Sequence, residues 1–216
     1  MESHFAASMT PFRKTHSILA GIVVLAASLA MGCGPESRSA GPKAIQAAAP
    51  ASTGLDLAGQ SVDPFRRTES KATVLVFVSA DCPISNRYAP EIRRLRDQFV
   101  PQGVSWWLVY HDPELTAEAI RQHLREYQLP ESVLRDPRHS LVKKAKVRVT
   151  PEAAVFGPDG RLVYHGRIDN RHVDFGQERP AATEHDLQET LAALLAGKPI
   201  PKETATAVGC YIPDSR

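Results

Sequence analysis

The stretch Ala72-Thr-Val-Leu-Val-Phe-Val-Ser-Ala80, followed by Asp81-Cys82-Pro83-Ile-Ser-Asn-Arg-Tyr-Ala-Pro90, decides how the rest of the chain is read. Its first half is a continuous apolar, β-branched run of the kind found in a fully buried strand. Its second half has the composition of a first helical turn. Cys82 therefore falls between a buried strand and a helix start, in the field of unpaired backbone N–H groups. That field stabilises a thiolate and lowers a thiol pKa. A small, inert packing cysteine is the other reading of the same position.

Working outward, Asn86–Val100 predicts an amphipathic helix with Tyr88, Ile92, Leu95 and Phe99 on one face and Arg93, Arg94 and Asp97 opposite. Pro90 lies within it and should bend it by deleting a backbone bond. Val104–Tyr110 predicts a second buried strand, and Thr116–Tyr127 a helix with Ala119, Ile120, Leu124 and Tyr127 inward. Ser132–Leu134 reads as a short strand and Ser140–Lys146 as a short helix. Val147–Phe156 and Arg161–Gly166, joined through Gly157-Pro-Asp-Gly160, predict an antiparallel hairpin. Thr183-Glu-His-Asp186 has the form of a capping box before a helix striped by Leu187, Leu191, Leu194 and Leu195, which Gly197 and Pro199 stop. Helices between strands imply parallel pairing by crossover, with the hairpin adding antiparallel edges.

The balance of 26 Lys+Arg against 24 Asp+Glu, a formal charge of +2, gives no basis for a nucleic-acid partner. The amino terminus differs in kind from the rest. Arg13, Lys14 and His16 precede the uncharged apolar stretch Ile18–Met31, which ends at Gly32-Cys33. This is the pattern of an export signal. Leu-Ala-Met-Gly-Cys33 resembles a bacterial lipoprotein signal, in which the cysteine is lipidated; Leu29 stands four residues before Cys33 where that pattern usually has three. The organisation expected is a signal segment over 1–33, a Pro/Ala/Ser/Gly-rich tether over 34–54, a folded domain over 55–197 and a tail over 198–216. The protein is expected to be exported to the cell envelope or periplasm and held at a membrane through Cys33; ordinary signal-peptide cleavage and an uncleaved anchor are the other readings of the same segment. Cys82 and Cys210 then remain as a pair in a compartment where disulfides persist.

The order β-α-β-α, short helix, hairpin, helix resembles the thioredoxin-like fold, an α/β architecture with a central mixed sheet flanked by helices. Cys82 after the first central strand, Pro90 eight residues later and Thr150-Pro151 before the hairpin all match that group's pattern, whose proline before the hairpin is cis. The segments Asp81–Glu91, Gly166-Arg-Ile-Asp-Asn170 and Ala207-Val-Gly-Cys210 resemble exported bacterial redoxins of the peroxiredoxin-like, AhpC/TSA type. Two departures stand out. Cys82-Pro-Ile-Ser85 lacks the second cysteine of Cys-x-x-Cys, and Leu75 stands where peroxiredoxins carry proline, although Ser79 fills their hydroxyl position.

The resemblance implies a thiol–disulfide oxidoreductase or thiol peroxidase in which Cys82 attacks a protein disulfide or a peroxide, re-reduced by an electron donor. Cys210 is the candidate resolving thiol, because the 13 residues from Lys198 to Cys210 span up to about 43 Å when extended. Pro151 would shape the cleft, Thr150 would offer backbone groups to an extended peptide, and Ser85 would cap the helix or bond the thiolate. No cofactor is implied. The alternatives are copper held by Cys82 with His111 or His165, and a redox-inactive binding module. His123, His139, His172 and His185 fall among charges and call for no role.

Overall fold

A computed structural model describes residues 52–66 and 69–214. The signal segment and nearly all of the tether lie outside the described residues. Strand β1 already includes Gly54, the last residue assigned to the tether: β1 is Gly54–Leu55 and β2 Ser61–Val62.

The apolar run forms β3, Ala72–Val78, and every one of its residues is buried. It lies parallel to β4, Val104–Tyr110, and antiparallel to β7, Glu152–Phe156. The remaining strands of the sheet are β5 (Val133–Arg135), β8 (Leu162–Gly166) and β11 (Thr204–Ala205). The order is β11-β8-β7-β3-β4-β5-β1-β2, a central mixed sheet. Period-two alternation along β3 divides the core between the two faces. Val74, Val76 and Val78 join a cluster with Ile92, Leu95, Ile120 and Leu187. Leu75 and Phe77 join one with Leu141, Val142 and Ala145.

The helices follow the sequence with instructive differences. The helix expected over Asn86–Val100 is two helices, α1 (Pro83–Arg87) and α2 (Ala89–Phe99), meeting at Tyr88. Pro90 sits in the first turn of α2, where its missing N–H costs nothing, and the helical run expected to bend there is interrupted at Tyr88, two residues earlier. Helix α3 (Ala117–Tyr127) is capped by the Thr116 hydroxyl, and α4 is Ser140–Ala145. Helix α5 is Asp186–Leu195, with His185 before it and no side-chain cap. Thr183 caps nothing: its N–H donates to Asn170 Oδ1 at 2.8 Å, and its hydroxyl accepts from Asn170 Nδ2 at 2.8 Å. The capping-box reading fails because a distant amide takes both groups.

Besides β1 and β2, two parts of the chain form strands that the sequence reading did not place. A small hairpin, β9 (His172–Asp174) with β10 (Gln177–Glu178), follows β8. The tail, expected to be without structure, supplies β11 and β12 (Cys210–Tyr211); β12 pairs antiparallel with β6 (Val149–Thr150). The expected strand from Val147 to Phe156 is thus divided at Pro151. Only β7 continues the sheet, and β6 serves the tail. Among the described residues no helix is long and apolar enough to cross a membrane.

Candidate active site

Cys82 is the N-cap of α1, with extended backbone and a side chain that accepts from the Ser85 N–H at 3.5 Å. The cysteine itself is therefore the cap expected of Ser85. Ser85 is buried, and its hydroxyl bonds the Cys82 sulfur and accepts from the Ser79 N–H at 3.4 Å. Facing the helix end is the Thr150-Pro151 peptide, which is cis. The Thr150 carbonyl lies 3.0 Å from the Cys82 sulfur and accepts from its thiol. Glu152 fixes this loop from behind: its buried carboxylate accepts from the N–H groups of Arg148 (2.8 Å) and Val149 (3.2 Å).

The tail closes the site. In β12 Cys210 stands opposite Thr150 and Tyr211 opposite Val149, and Ile212 N–H donates to Arg148 carbonyl at 2.9 Å. Upstream, β11 runs parallel to β8, with Thr204 opposite His165 and Ala205 opposite Gly166. This route brings Cys210 to the same residue, Thr150, whose carbonyl the Cys82 thiol meets, so that each thiol acts on the pKa of the other. Both cysteines are free thiols, and Cys82 is only 1% exposed.

The two sulfurs are driven apart electrostatically. Burial is the largest influence on Cys82 and pushes its pKa up. The Cys210 thiol, the Ser85 N–H and hydroxyl and the Cys210 N–H outweigh it and hold Cys82 below its ordinary value. The Thr150 carbonyl acts the other way, since it bonds only the protonated sulfur. Cys210 is pushed up to about 11 by burial, by its hydrogen bond to Cys82 and by the charge there. One thiol is set to ionise and its neighbour to keep its proton.

A polar relay supports the loop before Cys82. Asn86 Nδ2 donates to the Ala80 carbonyl at 3.0 Å, which fixes its amide orientation and leaves Oδ1 to accept from His123 Nε2 at 2.8 Å. His123 Nδ1 then accepts from the Tyr110 hydroxyl at 2.7 Å. His123, dismissed in the sequence as one of several residues among charges, is buried. His139 and His172 are buried as well, and His139 Nε2 bonds the His111 carbonyl at 3.1 Å. The sequence signal for His123 was its position between Ile120 and Leu124 on the inward stripe of α3. Glu152 was a charged residue inside an apolar strand, an anomaly that marks a bonded carboxylate.

The histidines expected beside Cys82 as copper ligands have partners of their own. His111 is buried, with its ring against that of His139; His165 pairs with Glu152 at 3.3 Å. Among the described residues, the one group of three donor atoms within 4.8 Å of one another is Glu91, Asp169 and His185, which includes neither cysteine.

Comparison with known proteins agrees with this architecture. A family model described as the AhpC/TSA family matches residues 45–165. No curated protein matches the sequence. Among solved structures, an uncharacterized conserved protein from Geobacillus kaustophilus is 26% identical, over 75% of this chain and 87% of that one, with a TM-score of 0.65. A hypothetical protein from Sinorhizobium meliloti 1021 is 24% identical, over 74% and 88%, with a TM-score of 0.63. A secreted Mycobacterium tuberculosis disulfide oxidoreductase is 19% identical, over 67% and 94%, with a TM-score of 0.46.

Proposed function

Since the chain belongs to the AhpC/TSA family and is a thiol-based oxidoreductase of thioredoxin-like fold, we propose that it cycles between a Cys82/Cys210 dithiol and a Cys82–Cys210 disulfide. Cys82 is the nucleophile. As a thiolate it attacks one sulfur of a protein disulfide, forming a mixed disulfide and releasing the other sulfur as a thiolate. Cys210 then loses its proton and attacks the Cys82 sulfur; the substrate's second sulfur leaves, and the intramolecular bridge closes. Two electrons pass to the substrate, and an external thiol donor restores the dithiol.

The observation that carries this reading is that the two cysteines meet at Thr150, whose carbonyl lies 3.0 Å from the Cys82 sulfur and which stands opposite Cys210 across β6 and β12, with the two thiol pKa values shifted in opposite directions. Part of the rise at Cys210 comes from the Cys82 charge, which disappears once Cys82 is bonded to substrate. The resolving thiol is therefore activated by the step that precedes it. Pro151, Thr150 and Ser85 act as positioning residues around the sulfur.

A second oxidant is favoured by one observation, the 1% exposure of Cys82. A hydroperoxide is small enough to reach a covered sulfur. The Cys82 thiolate would take one peroxide oxygen, giving a sulfenic acid and releasing an alcohol or water. Cys210 would then close the same bridge with loss of water.

The test is a trapping experiment. Cys210→Ser, treated with a small disulfide or with hydrogen peroxide, should accumulate a mixed disulfide or a sulfenic acid at Cys82. Wild type should pass on to the bridge. Cys82 left unmodified in both proteins would remove the proposal. Export, and attachment to a membrane through Cys33, complete the proposed role; they rest on the basic, apolar and small-residue pattern of residues 13–33.

A further inference from the structure

The backbone edge of Val149–Thr150, where an extended substrate was expected, is taken by the chain's own tail. How the tail fits is specific at each position. A Cβ on Gly209 would collide with the carbonyl oxygen and carbon of Thr150 and would lie 3.3 Å from Pro151 N, all backbone atoms that cannot swing aside. The residue before Cys210 must therefore have no side chain. Val208 packs against the cluster on one face of the sheet, and Ile212 against the cluster on the other. Tyr211 is 81% exposed. Read from the cysteine, the edge accepts an apolar residue, glycine, cysteine, any residue and an apolar residue.

The same close approach recurs upstream. Gly166, at φ 151°, has no room for a Cβ against the Ala205 carbonyl of β11. Two glycines, one on the body and one on the tail, thus set the path that seats Cys210.

We propose that the Val149–Thr150 edge is the docking strand for a partner segment of apolar-Gly-Cys-x-apolar type, and that residues 208–212 are its built-in stand-in. This rests on Cys82 being the nucleophile. Partner and tail occupy the edge in turn. When the tail is seated, Cys82 is covered. When a partner strand displaces it, Cys82 is presented with the partner's sulfur in the place of Cys210. Return of the tail both delivers the resolving thiol and expels the product. The backbone bonds supply affinity, and the side-chain positions supply selectivity.

The experiment uses the full chain in a Cys210→Ser background, so that captured peptide is not released. The probe is the heptapeptide Thr-Ala-Val-Gly-Cys-Tyr-Ile, its cysteine carried as a mixed disulfide with thionitrobenzoate. Cys82 thiolate attacks the peptide sulfur, the bond to thionitrobenzoate breaks, and the thionitrobenzoate leaves with the electron pair. Capture is read by mass. Adding Gly209→Val, which unseats the tail, should speed capture about tenfold, the worth of one or two net backbone hydrogen bonds. Gly209→Ala should fall between, which guards against a folding defect in the larger substitution. A peptide with valine in place of glycine should gain little. Equal rates with seated and unseated tails, or equal capture of the two peptides, would overturn the docking strand. If the small disulfide dithiobis-nitrobenzoate still modified Cys82 in that case, the nucleophile reading would stand alone. Failure of Cys82 to react even with that reagent would overturn both.

Discussion

Cys82 owes its chemistry to donors supplied by its own helix and by the distant tail. Ser85 was visible in the sequence, three residues on. Cys210 was visible only as the remaining cysteine; that its thiol and N–H both reach Cys82 depends on a strand pairing no local pattern announces. Replacing Cys210 by alanine removes the thiol donor, so the pH midpoint for alkylation of Cys82 should move up towards the ordinary thiol value. Ser85→Ala should move it in the same direction through loss of the hydroxyl. Rates of iodoacetamide modification against pH measure both shifts. A midpoint unchanged in Cys210→Ala would mean that the sulfurs do not interact in solution. The linkage to stability has opposite signs at the two sites. Cys82, lowered on folding, adds stability that grows as pH rises through its folded pKa. Cys210, raised to about 11, gives stability that is lost as pH rises from its unfolded pKa towards that value.

At the level of elements, the buried strands were legible because β3 and β4 are apolar runs of seven residues with helices between them. The helix stripes were legible for the same reason, down to Ile92, Leu95 and Phe99. What escaped were polar groups doing structural work inside those elements. The relay Tyr110–His123–Asn86 joins β4, α3 and α1 and ends on the loop before Cys82. The inward stripe of α3 marks His123 as buried, but no periodicity names its partners, Tyr110 and Asn86. Burial holds His123 below its ordinary pKa against the weaker upward pull of the Glu126 and Asp81 charges. Neutral His123 therefore contributes stability that is present above the unfolded value of about 6.5 and is lost as pH falls through its folded pKa. His123→Gln, which cannot titrate, should cost about 1–2 kcal/mol at neutral pH through the lost Tyr110 acceptor. It should also flatten part of the acid slope in denaturation midpoints; His111 and His172, lowered mainly by burial too, carry the rest. An acid slope identical to wild type would show that His123 does not titrate with folding. The failed capping box at Thr183 has the same origin: Asn170, 13 residues earlier, offers it better partners than the helix does.

At the scale of the whole molecule, the tail converts a one-cysteine motif into a two-cysteine site. The sequence allowed that closure by length alone. Direction came from pairing with β8 and β6 and from the absent side chains at Gly166 and Gly209, which are unremarkable letters until their neighbours are known. At the other end of the chain, the proposed anchor predicts that bacteria expressing the full sequence with an azide-bearing fatty acid will label the protein. Cys33→Ala should abolish the label, and a label retained in that variant would exclude Cys33 as its site. The most direct test of the central claim is mass mapping of the wild-type protein after one equivalent of hydrogen peroxide, and again after dithiothreitol. A Cys82–Cys210 bridge that forms with the oxidant and opens with the reductant is the predicted result. Two thiols that never join, or a bridge that mild reductant leaves closed, would contradict it.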